Sequence, residues 1–95
     1  MKHYIIAKYT AEGYAKREEL LGRIREIFSA ATEIAGVHGV QVLPSCVERD
    51  NRFDVMIVLD MDREALPLYD ASKMHRRWKE EFGSLLEKKT IFDHA

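Results

Sequence analysis

The chain has 95 residues, enough for one domain with one core and no second. Its 15 Lys and Arg nearly balance 16 Asp and Glu, for a formal charge of −1, with both signs mixed along the chain. That balance argues against nucleic acid or an acidic membrane surface as the main partner.

A chain of this length buries only about two thirds of its unfolded surface. Yet 46% of it is hydrophobic, so some apolar surface is expected to be covered by a partner. The single cysteine, Cys46, cannot form an intrachain disulfide, which fits a reducing cytoplasm. It reads as a small apolar strand residue. The opening apolar run is too short for a signal peptide, and no stretch approaches the ~20 apolar residues of a membrane span. The expected location is cytoplasmic.

Taken in order, Lys2 to Thr10 reads as a strand. Tyr4 and Ile6 face one way; His3, Ile5, Ala7 and Tyr9 face the other. Ala11-Glu12-Gly13 breaks the run. Tyr14 to Ala35 then reads as a long amphipathic helix. Leu20, Leu21, Ile24, Ile27, Phe28, Ala31, Ile34 and Ala35 form its apolar stripe. Gly36 suits the left-handed position after it.

Val37 to Glu48 is a second strand, and Pro44 marks it as an edge strand or a bulge. Arg49-Asp50-Asn51-Arg52 is a polar hairpin turn. Phe53 to Met61 is a third strand, with Phe53, Val55, Ile57, Leu59 and Met61 on one face. Met56 and Val58, on the other face, are also apolar, so this strand is expected to be central and covered on both sides.

Asp62 is a candidate cap for a short helix from Arg63 to about Tyr69, with Pro67 expected to kink it. Ser72 caps a further helical piece carrying Met74, Trp78, Phe82 and Leu85 at helical spacing. Lys88 to His94 closes the chain as a strand. His38 and His94 read as loop and tail residues. The single domain, residues 1–95, is therefore α+β. It has a ferredoxin-like β-α-β-β-α-β order, a four-stranded antiparallel sheet and both helical regions on one face. The other, apolar face calls for a homodimer with two sheets packed face to face.

In its order of features the chain resembles the stress-responsive dimeric α+β barrel family, called Dabb. The resemblance rests on Lys2-His3 opening an apolar strand, and on a long helix ending near Gly36-Val37. It rests further on Leu66 to Tyr69, on His75 and on the closing Thr90-Ile91-Phe92-Asp93. It covers nearly the whole chain. It implies that two sheets form a barrel with the helices outside. Some members, olivetolic acid cyclase among them, close linear polyketides into rings by intramolecular aldol condensation. The family's tyrosine matches Tyr69, the last histidine of its His-Pro-x-His pattern matches His75, and its opening histidine matches His3. The chain departs from the pattern at Ser72-Lys73, which stand where His-Pro is usual.

These residues suit that chemistry. A histidine titrates near neutrality and can take a proton α to a carbonyl, while a phenol can donate to the carbonyl oxygen as it gains charge. Such a reaction needs no metal or cofactor. No set of His, Cys or carboxylates has metal-ligand spacing. The expected site is a pocket between the sheet and the broken second helix. It is lined by His3, Tyr69 and His75, and takes a small apolar or aromatic ligand. In the alternative, Tyr69 packs in the core with its hydroxyl bonded and His75 simply sits in a helix's first turn. The protein is then a non-catalytic dimeric binding or assembly module. A further alternative is a haem-binding or oxygenase protein of the barrel superfamily, for which His75 is the one axial-ligand candidate.

Overall fold

The computed structural model describes residues 1–95. Four strands form one antiparallel sheet: β1 (Lys2–Tyr9), β2 (Val37–Pro44), β3 (Val55–Met61) and β4 (Leu86–His94). Their order across the sheet is β2-β3-β1-β4. The first and last strands of the chain are thus neighbours, with Ile5 opposite Ile91 and His3 opposite Asp93. The helices are α1 (Ala11–Ala15), α2 (Arg17–Phe28), α3 (Leu66–Asp70) and α4 (Lys73–Phe82). The ferredoxin-like β-α-β-β-α-β order holds, with each helical region in two pieces.

The period-2 pattern of β1 and β3 decides which face packs. His3, Ile5, Ala7 and Tyr9 are buried, as are Val55, Ile57, Leu59 and Met61. Leu20, Ile24, Ile27 and Phe28 of α2 bury the same core from the helical side. Trp78 of α4 meets Phe28 edge-on at 5.3 Å and stacks on Phe82 at 4.9 Å. Gly36 has φ +85°, and a Cβ there would stand 2.8 Å from the Cβ of Ala65. The turn into β2 therefore needs glycine for both its backbone and its room.

The opposite sheet face carries Tyr4, Ile6, Met56 and Val58, all half-buried. Leu43 and Phe92 extend it, 44% and 59% exposed. Nothing in the chain covers this face. β3 is central, and β2, bearing Pro44, is an edge strand.

Several local expectations are corrected. The first helical region starts before Gly13, because the Thr10 hydroxyl accepts from the Gly13 N–H and caps α1. It bends at Lys16, and α2 ends at Phe28, followed by a 3-10 turn at Ala31–Glu33. Ala35 is exposed, outside the stripe. β2 stops at Pro44, so Cys46 is an exposed residue of the following loop. His38 lies in β2, where it pairs with Asp62 at 2.9 Å, and Asp62 makes no helix-capping bond. Phe53 precedes β3 and lines a surface cleft with Ile6, Leu43 and Met56, on the open face. Pro67 sits at the start of α3, where a missing N–H costs nothing. The break in the second helical region comes four residues later.

Candidate functional site

That break is organised by one hydroxyl. Ser72 Oγ donates to the Tyr69 carbonyl at 2.7 Å and accepts from the His75 N–H at 3.1 Å. The Ser72 N–H also donates to the Tyr69 carbonyl. Closing α3 and capping α4 with the same residue ties Tyr69 to His75 across the bend. Their rings lie 4.7 Å apart, centroid to centroid, tilted by 51°.

The sheet supplies the third ring. His3 is buried on the core face of β1, 5.4 Å from the Tyr69 ring and edge-on to it. Its Nδ1–H donates to Asp93 Oδ1 at 2.5 Å. The β1–β4 register sets that contact by placing residues 3 and 93 opposite each other. His3, Tyr69 and His75 thus stand together, drawn from a strand and two helices.

The cavity at these residues has a volume of about 270 Å³. Ile5, Leu66, Trp78 and Ile91 give it apolar walls; Asp70, Lys79, Lys89 and Asp93 complete it. This volume is near the lower end of the ~300–1,000 Å³ usual for small-molecule sites. It suits a small ligand. No cluster of three or more His, Cys, Asp or Glu has the geometry to hold a metal ion.

Electrostatics prepare the two ring groups differently. The Tyr69 hydroxyl is buried and has no hydrogen-bond partner. Burial, helped by the charge of Asp70, pushes its ionisation far above the usual phenol range, so it remains an O–H donor. Burial pushes the His75 pKa below its usual 6.5. The Asp70 backbone bond opposes that shift, Lys79 and Lys89 add to it, and the Asp70 charge works against it. His75 Nδ1 lies 3.0 Å from the Asp70 carbonyl oxygen. A carbonyl only accepts, so Nδ1 carries the hydrogen and Nε2 keeps the lone pair. The arrangement can take a proton at Nε2, and the phenol can donate to a group that a side-chain movement brings against it.

Another cavity, about 260 Å³, lies at the far end of β1, lined in part by Tyr9, Tyr14, Arg17, Glu48 and Asp54. Burial and Asp54 push Tyr9 up to about 12. Its polar groups are largely matched already. Arg17 lies 4.3 Å over the Tyr14 ring and 3.3 Å from Glu48, and Asp54 accepts from the Tyr9 N–H. The unmatched chemistry lies at the His3 end.

Sequence reasoning singled out His3, Tyr69 and His75 but gave no role to Asp93, Asp70, Lys79 or Lys89. The alternation of β4 was the available signal. It puts Lys89, Ile91 and Asp93 on one face, though nothing local says that this face meets His3.

No protein-family model matches the sequence, and no curated protein matches it. Solved structures do match. A dimeric ferredoxin-like protein of unknown function from Thermobifida fusca superimposes with a TM-score of 0.82 at 15% identity, over 99% of this chain and 88% of its own. A Dabb family protein with a ferredoxin-like fold from Mesorhizobium loti gives 0.75 at 18% identity, over 99% and 93%. A dimeric ferredoxin-like protein of unknown function from Bacteroides fragilis gives 0.78 at 12% identity, over 98% and 92%. The chain has the ferredoxin-like fold of the Dabb protein and of these dimeric proteins.

Proposed function

We propose that the protein is a Dabb-like homodimer that binds a small apolar or aromatic ligand beside Tyr69. We further propose that it acts on that ligand as a cofactor-independent cyclase or isomerase. One observation carries the reading: a buried phenol with no acceptor, flanked by two imidazoles at the edge of a cavity. A buried donor left unpaired costs about 1–3 kcal/mol. The hydroxyl exposes less than 1 Å² in the free protein, so a ligand carbonyl that enters with a side-chain movement is the acceptor that would remove this cost.

In the catalytic reading His75 Nε2 removes a proton from the carbon α to that carbonyl. The electron pair moves onto the carbonyl oxygen, where the Tyr69 hydroxyl stabilises it. The α carbon of the resulting enolate attacks a second carbonyl of the same ligand chain, and the new alkoxide takes back the proton that His75 Nε2 removed, which regenerates the base. Asp93 holds the His3 ring in place through its Nδ1–H. The open face of Tyr4, Ile6, Met56 and Val58 supports the dimer reading, since a second copy would cover it by symmetry.

The test supplies a linear poly-β-ketone thioester and follows ring closure by mass spectrometry. His75→Ala should abolish closure while binding persists, and Tyr69→Phe should slow it less severely. Binding without closure in the unaltered protein would reduce the function to ligand binding by a non-catalytic module.

A further inference from the structure

We infer that the cavity selects an anionic ligand, a small aromatic or apolar carboxylate, through Lys79 and Lys89 at its rim. The inference rests on the ligand site proposed above and names the chemical class of its occupant.

The placement of the two lysines carries it. Lys79 lies one helical turn beyond His75 on α4, so both side chains rise on the same helix face. Lys89 lies on β4 opposite Ala7, a residue of the buried core face, and two positions before Ile91. One ammonium therefore comes from the helix layer and the other from the sheet layer, and both line the same cavity. Neither is within ion-pair distance of a carboxylate in the chain.

Two acidic residues also line the cavity, and their positions matter. Asp93 is engaged by His3 at 2.5 Å. Asp70 is exposed at the end of α3 and contributes its backbone carbonyl to His75. At the His75 ring the Lys79 charge acts more strongly than the opposing charge of Asp70, and Lys89 adds to it. The two ammoniums are thus without a partner in the chain while Asp93 is already held by His3, and the cavity walls are Ile5, Leu66, Trp78 and Ile91. An apolar body with one carboxylate meets both features. A neutral body of the same shape meets only the walls. An ammonium can bind such a carboxylate as a point charge without fixed geometry.

The test compares benzoate with benzamide, which share shape and differ in charge. Binding is followed by the NMR shifts of the Tyr69 and His75 rings. Benzoate is expected to bind at least about tenfold more tightly. In a Lys79→Met, Lys89→Met double variant that preference should vanish while benzamide binding is unchanged. Lys16→Met, at the helix bend and remote from the cavity, should keep the preference. Equal affinity for the two probes in the unaltered protein would overturn the inference and leave the ligand site standing. A preference that survives the double substitution would do the same. Failure of both probes to shift either ring would overturn the ligand site and the inference together.

Discussion

Removing the hydroxyl of Tyr69 should make the free protein more stable. The group has less than 1 Å² of accessible surface and no hydrogen-bond partner. Its ring is packed against His3 at 5.4 Å and His75 at 4.7 Å, contacts a phenylalanine ring preserves. Tyr69→Phe therefore deletes an unpaired donor and leaves the packing in place. Leaving such a group unpaired costs about 1–3 kcal/mol, and relaxation recovers part of it, so a gain of about 1 kcal/mol is expected. For a domain of this size that raises Tm by about 4–8 °C. The assay is thermal and urea unfolding at one fixed protomer concentration, because association would otherwise shift the midpoint. The same variant should bind a carbonyl ligand more weakly, since the donor is gone. Gain of stability with loss of binding is the signature of a polar group retained for function. A loss of 1 kcal/mol or more in the unliganded protein would show that the hydroxyl is already bonded there, and would remove the main support for the site.

Four further outcomes are expected. Ser72→Ala removes the shared cap of α4 and should cost about 0.5–2 kcal/mol, with NMR showing the Tyr69 and His75 rings released from one another; unchanged ring shifts would mean the cap does not set the site. Ile27→Ala, at a side chain only 1% exposed, should cost about 2–5 kcal/mol in urea unfolding, and a loss well below 1 kcal/mol would mean the α2 face is misassigned. Met56→Lys or Val58→Asp puts a charge into the proposed dry interface and should dissociate or unfold the dimer, whereas an 11.1 kDa monomer of the unaltered chain in sedimentation would refute the dimer itself. The last concerns pH. The folded state lowers the His75 pKa below 6.5, so the unfolded chain binds the extra proton first as pH falls. The stability contribution of a neutral His75 is therefore full above about pH 6.5 and is lost as pH drops toward and through the lowered folded value. Urea midpoints from pH 7.5 to 5 should fall in that window, and His75→Asn should flatten the fall; an equal fall in the variant would assign it to other groups.

The strand alternation of residues 2–9 and 55–61 and the stripe of α2 were legible without a structure. Each is a local periodicity that matches one packed face. Gly36 and the Ser72 cap were legible for the same reason, since φ and capping depend on neighbours in the chain. Tyr69 and His75 could be paired because one short bend joins them. Phe53 and Cys46 were misplaced because strand ends depend on where a neighbouring strand stops pairing, and β2 ends at Pro44. Pro67 was misjudged because its effect turns on whether the helix begins before or after it. The contact of His3 with Asp93 spans 90 residues, and only the pairing of the first strand with the last creates it. The rim lysines come together across helix and sheet in the same way. Faces and caps are written in adjacent residues; which face meets which, and so the composition of the cavity, is decided by sheet order, which no local pattern encodes.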